Sequence, residues 1–178
     1  MNSWHDLDPG QHAPETVNAI IEIPKRSRAK YELEKKTGIL KMDRVLYSSF
    51  FYPCNYGFIP QTYCDDNDPL DILVISDEII PPLCLLEATV IGAMRMLDNG
   101  ELDDKIIAVA SRDKSVSHIQ SLDEMPDHFM NEIRHFFEEY KQLEKKEVAV
   151  EGFVNKAAAQ KIVTEAIELY KTDILPNL

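Results

Sequence analysis

No stretch of this 178-residue sequence approaches the roughly 20 consecutive apolar residues that span a bilayer. The longest uncharged apolar run, Ile79 to Leu86, is already broken by Pro81 and Pro82, so no membrane partner is expected. The N-terminal residues Met1 to Asp6 have neither the basic nor the apolar segment of a secretory signal, and the expected location is cytoplasmic. Cysteine is scarce: Cys54, Cys64 and Cys84 are odd in number and show no C-x-x-C or Cys/His spacing. Neither a disulfide framework nor a cysteine-held zinc site is suggested, and buried free thiols are the expectation. Positive charge is also short, with 19 Lys and Arg against 31 Asp and Glu and a net charge of -12. Such a field repels nucleic-acid backbones, so no nucleic-acid partner is expected. It also repels a bare anionic substrate, and any phosphate ligand must arrive with cations or meet a local cluster of Lys and Arg.

What the sequence does have is enough apolar residues, 44% of the chain, for one globular core, and residues 1–178 read as a single domain without repeats or low-complexity linkers. From Thr16 to about Ala110, short β-branched and apolar runs are separated by Gly, Pro, Asn and Asp, the spacing of an antiparallel sheet or barrel. Lys30 to Glu34 alternates, a turn follows near Thr37-Gly38, and Ile39 to Leu46 returns as the second arm of a hairpin with one polar face. Leu70 to Ile75 and Ile106 to Ala110 are apolar almost throughout and predict interior strands. Leu85 to Met96 is long enough to bend around a barrel corner near Gly92.

After Asp123 the period becomes helical. Phe129, Ile133, Phe136, Phe137, Tyr140 and Leu143 recur behind Pro126, a residue favoured at a first helical position. A short strand, Val148 to Phe153, leads to a second helix capped by Asn155, with Ala158, Ile162, Val163, Ala166, Ile167 and Tyr170 as its buried stripe.

The segment Asp65-Asp66-Asn67-Asp68-Pro69-Leu70-Asp71 packs four carboxylates into seven residues before an apolar strand. Like charges about 4 Å apart repel by roughly 4 kcal/mol at an effective dielectric near 20, so a converging cluster calls for cations or raised pKa values. In an extended chain Asp66 and Asp68 point the same way, and Pro69 interrupts the ladder so that Asp71 can swing to the same mouth. Hard oxygen ligands suit magnesium or manganese. The rivals are an exposed acidic turn and a calcium loop. The latter needs Gly at its sixth position and Glu at its twelfth, where this chain has Asp71 and Asp77.

Together with its neighbours this segment resembles the family I soluble inorganic pyrophosphatases, whose D-x-D-P-hydrophobic-D pattern is met by Asp66, Asp68 and Asp71. The resemblance also takes in Ile21-Glu22-Ile23-Pro24, Lys30-Tyr31-Glu32, Asp43-Arg44, Phe51 to Pro60, Asp98 with Asp103 and Lys105, and His135-Phe136-Phe137-Glu138 with Tyr140-Lys141. It implies metal ligation by Asp66, Asp71, Asp98 and Asp103, with Glu22 and Glu32 acting more remotely through water. It implies phosphate binding by Lys30, Arg44, Tyr52, Tyr56, Lys105, Tyr140 and Lys141. In Ala149 to Phe153 a Phe stands where bacterial relatives often have Trp, which bears only on contacts between subunits.

The implied fold is α+β and mainly β: a five-stranded Greek-key barrel of the OB type with two main helices, mostly C-terminal. The implied reaction is hydrolysis of pyrophosphate to two orthophosphates by in-line attack of a metal-activated hydroxide. Asp68 would be the general base, and Tyr56, Arg44 and Lys30 would complete the catalytic set. Several Mg2+ ions per subunit are expected, with Mn2+ or Zn2+ able to substitute, and short-chain members of this family resemble homohexamers. Barrels of this type also bind oligonucleotides, so a binding module and a catalytically silent, metal-stabilised oligomer subunit are the alternatives to an enzyme.

Overall fold

A computed structural model describes all of residues 1–178. The strands fall where the two-residue period places them: β1 (Thr16–Ile23), β2 (Ala29–Glu34), β3 (Ile39–Val45), β4 (Asn55–Phe58), β5 (Asp71–Ile75), β6 (Leu85–Asp98), β7 (Glu101–Leu102), β8 (Lys105–Ala110) and β9 (Val148–Asn155). Two helices follow the helical period: α1 (Asp127–Glu139) and α2 (Lys156–Leu169). β2 and β3 form a separate antiparallel hairpin, and the other seven strands form one sheet.

That sheet closes on itself. β1 pairs with β4, β4 with β5, β5 with β8, β8 with β6, and β6 with β1. Five strands thus form a barrel whose only parallel contact is β5 with β8, and closure removes the open edges that would invite other strands. The 14-residue β6 outruns the barrel and carries β9 along its outer half. Its register breaks between Val90 and Gly92, at the corner anticipated from the sequence. A Cβ on Gly92 would stand 2.4 Å from the Leu122 side chain and 2.8 Å from the Val154 carbonyl, so the bend leaves no room for a side chain.

The continuous apolar runs of β5 and β8 are explained by burial on both faces. Ile72 and Val74 join the cluster containing Ala159, Val163 and Ala166 of α2, while Leu73 and Ile75 join the one containing Ile133, Phe136 and Phe137 of α1. Each of these larger side chains contributes about 1.5–3 kcal/mol by leaving water. Two details of the helices differ from expectation. α1 stops at Glu139, and Leu143 falls in a short 3-10 turn where it is 63% exposed. In α2, Asn155 caps as predicted by accepting from the Ala158 N–H at 3.0 Å, but Ala159 rather than Ala158 faces the core.

The loops are pinned by one buried side chain. Asn55 accepts from the Lys25 and Ile80 N–H groups (3.1 and 3.0 Å) and donates to the Val74 and Glu78 carbonyls (3.4 and 3.1 Å). All three cysteines are free, as expected, but only Cys54 is buried, and Cys64 and Cys84 keep partial exposure.

Candidate active site

One mouth of the barrel gathers charged strand ends. In the parallel register Asp71, the first residue of β5, lies opposite Lys105, the first residue of β8. β6 ends in Asp98, the short β7 follows, and Asp103 lies just before β8. Tyr56 rises from β4, Glu22 from β1, Lys30 and Glu32 from the hairpin, and Tyr140 and Lys141 follow α1. These residues line a cavity of about 640 Å3 together with Tyr52, Asp66 and Asp68. Every residue expected at the site from the sequence is therefore brought to this mouth except Arg44.

Arg44 lies opposite Lys30 in the hairpin, but its guanidinium turns to Asp43 and to Glu144, 2.8 Å away. The side chains of Arg44 and Glu144 are only 17% and 6% exposed, and the Arg44 Nε is buried without a partner. Glu144 could not be read from the sequence because it lies in the turn beyond α1, 100 residues from Arg44. Lys35, Asn99, Glu101 and Leu102 also line the cavity without having been anticipated. For Glu101 the signal was present in the density of acids between Asp98 and Asp103.

The centre of the cavity is an ion network. The Lys105 ammonium, 2% exposed, donates to Asp71 Oδ2 and Asp103 Oδ1, each at 2.5 Å. The Tyr56 hydroxyl donates to the same Asp71 Oδ2 at 2.5 Å. Lys141 pairs with Asp98, Lys30 with Glu32, and Lys35 with Asp68. Burial alone would lower the pKa of Lys105, but Asp71 and Asp103 outweigh it and hold the ammonium firmly protonated. Burial pushes the Tyr56 and Tyr52 hydroxyls up, so both remain donors.

The acids are less content. Burial, then the charge of Asp71, pushes Glu22 up to about 8, even though its Oε1 accepts the Leu33 N–H at 2.7 Å. Burial, with Asp71, Asp68 and Asp103 adding to it, pushes Asp66 up to about 6 against the bond it accepts from the Asp68 N–H. Asp71 is raised by burial and by Asp103 despite Lys105.

The acidic turn differs from the extended chain assumed for it. Asn67 is left-handed at φ 67°, so Asp66 and Asp68 are set by a turn rather than by strand alternation. The carboxylates share a cavity but form no ready-made cage of three or more metal ligands, because lysine ammonium groups stand among them. The donor set nonetheless fits hard divalent cations. Eight carboxylates and four ammonium groups line the cavity, an excess of four negative charges when all are ionised. Asp98 Oδ1 is buried with no partner, and oxygen-only ligands suit magnesium-like ions.

Comparison with known proteins finds chains similar to this one in sequence and in structure. The family described as inorganic pyrophosphatase matches residues 19–171. Soluble inorganic pyrophosphatase 5 of Arabidopsis thaliana is 52% identical over 175 residues, covering 98% of this chain and 81% of that protein. Soluble inorganic pyrophosphatase 2 of Chlamydomonas reinhardtii is 48% identical, with 98% and 91% covered. The inorganic pyrophosphatase structure from Thermus thermophilus superposes with a TM-score of 0.93 at 41% identity, over 96% of this chain and 99% of that one.

Proposed function

The chain belongs to the inorganic pyrophosphatase family, and from that premise we propose how its residues hydrolyse pyrophosphate to two orthophosphates. The observation that carries the reading is the interleaving of acids and lysines at the barrel mouth, centred on Lys105 between Asp71 and Asp103. A surface of one sign would bind either cations or phosphate; this one has a place for both.

The family is metal-dependent, and the metal we infer here is magnesium, several ions per subunit, with manganese or zinc able to substitute. Asp66, Asp71, Asp98 and Asp103 would hold the ions, with Glu22 and Glu32 further out. Bound there, divalent cations supply charge neutralisation and make water acidic enough to attack at neutral pH.

The remaining work falls to the chain. Lys30, Lys105 and Lys141 bind phosphoryl oxygens as point charges, and Tyr52, Tyr56 and Tyr140 donate to them through hydroxyls that burial keeps protonated. Arg44 adds its fork at the mouth when it exchanges Glu144 for phosphate. Asp68, partly exposed beside the cavity, removes the proton from the attacking water. Lys30, Lys105 and Lys141 are paired with carboxylates, and each would be free for phosphoryl oxygens where those carboxylates held cations instead.

We take the domain as the whole of residues 1–178 and the location as cytoplasmic. We infer a homohexamer. Its support is the resemblance to the short-chain members of the family and the apolar side chains left at the surface, including Tyr47 (64% exposed) and Phe51 (54%).

A phosphate-release assay tests the function. Purified protein with pyrophosphate should release phosphate with magnesium and lose that activity in excess chelator, with calcium inhibitory because its looser coordination misplaces the attacking water. Full turnover in chelator would remove the metal from the account.

A further inference from the structure

Lys35 follows the last residue of β2, in the hairpin turn, and its side chain crosses to the acidic turn at the rim of the cavity. Its ammonium donates to the Asn67 carbonyl at 2.8 Å and pairs with Asp68 Oδ1. The same hairpin turn is buttressed from behind. Asn2 Nδ2 donates to the Lys35 carbonyl at 2.7 Å, and the ammonium stands 6.0 Å from the ring centre of the buried Trp4. The acidic turn is equally fixed: the Tyr63 hydroxyl donates to Asn67 Oδ1 at 2.6 Å, and the Cys64 N–H donates to the Asp68 carbonyl at 2.9 Å.

The backbone of Asp68 is thus held on several sides, but its carboxylate has one partner, Lys35. Lys35 and Asp68 are 43% and 51% exposed, and a pair in that setting adds little to fold stability. What the contact does is select one orientation of the Asp68 side chain and tie the hairpin that carries Lys30 and Glu32 to the turn that carries Asp66.

We propose that Lys35 is a positioning residue for hydrolysis, holding the Asp68 carboxylate toward the cavity and the hairpin across its mouth. The inference rests on the reading of Asp68 as the proton acceptor. Lys35 acts through Asp68 and not on the substrate, so its removal affects turnover and leaves substrate affinity alone.

Four variants test this with magnesium and pyrophosphate as the probe: Lys35→Met, Lys35→Arg, Asp68→Asn and the Lys35→Met/Asp68→Asn double variant, each measured for kcat, KM and Tm. Lys35→Met should lower kcat about tenfold with KM changed by less than about twofold, the size expected for a misplaced catalytic group. Lys35→Arg should restore kcat, and Tm should stay at the wild-type value in both. In the Asp68→Asn background Lys35→Met should cost far less than in wild type, since the route through the carboxylate is already cut and only the tie to the Asn67 carbonyl remains.

Unchanged kcat in Lys35→Met, while Asp68→Asn is impaired, overturns the proposal and leaves the base assignment standing. A raised KM with kcat retained makes Lys35 a phosphate ligand instead. A full additional loss in the double variant shows that Lys35 does not act through Asp68. Wild-type turnover in Asp68→Asn overturns the base assignment, and the proposal with it.

Discussion

Replacing Lys105 with methionine keeps a long stem but deletes the one ammonium between Asp71 and Asp103. Both ion pairs are 2.5 Å long, and the lysine side chain is 3% exposed. Without it the two carboxylates face each other across a sheltered gap. Removing one partner of a buried ionic network costs about 3–5 kcal/mol. Asp71 and Asp103 keep 22% and 16% exposure, enough water contact to favour the lower end, about 3 kcal/mol. For a chain of this size each kcal/mol moves Tm by about 2–4 °C, so the metal-free variant should melt roughly 6–12 °C below wild type. Magnesium should then recover more in the variant than in wild type, because a cation enters between the carboxylates without displacing an ammonium. The gain grows with mass action, about 2.7 kcal/mol at a hundred times the dissociation constant. Differential scanning calorimetry in chelator and across a magnesium titration reads both effects. A variant melting with wild type in chelator, or a magnesium response no larger than wild type's, would refute the reasoning.

Asp68→Asn should lower kcat by about 10²- to 10⁴-fold with pyrophosphate and metal binding retained, as steady-state kinetics and a metal titration will show. In chelator, burial holds Glu22 at about 8 against its ordinary value of 4.5. Its protonated form thus stabilises the fold below pH 4.5, and that contribution is lost as pH rises toward 8. Thermal melts between pH 5 and 9 should therefore decline more steeply for wild type than for Glu22→Gln, and parallel curves would remove the effect. Asn55→Ala breaks four hydrogen bonds in a fully buried site and should cost about 2–4 kcal/mol in chemical denaturation. The Cys54 thiol is buried and pushed up to about 12, so thiol reagents should label it only after unfolding.

The fold was legible where one physical signal dominated. Continuous apolar runs marked the doubly buried β5 and β8, a glycine marked the bend of β6, and the helical recurrence of Ile133, Phe136 and Phe137 marked α1. Reading failed where geometry depends on distant partners. The left-handed Asn67 that turns Asp66 and Asp68 is a property of the loop, not of alternation. Nothing near Arg44 announces that Glu144 will hold it, nor does anything near Lys35 announce its reach to Asp68. At the N-terminus, Trp4 packs with Ile20, Leu33, Phe58 and Tyr170, a contact that no local period encodes. The acids and bases of the site were recognisable as an ordered set along the chain. Their pairing into lysine–carboxylate contacts was not, because pairing is decided by which strand ends meet at the barrel mouth.

The central claim is that a cavity lined by eight carboxyl groups and only four ammonium groups accepts pyrophosphate only together with divalent cations. Isothermal titration of a non-hydrolysable pyrophosphate analogue, with magnesium and then in excess chelator, tests it most directly. Saturable binding that requires magnesium is the expected result, and equal affinity in chelator would contradict the account.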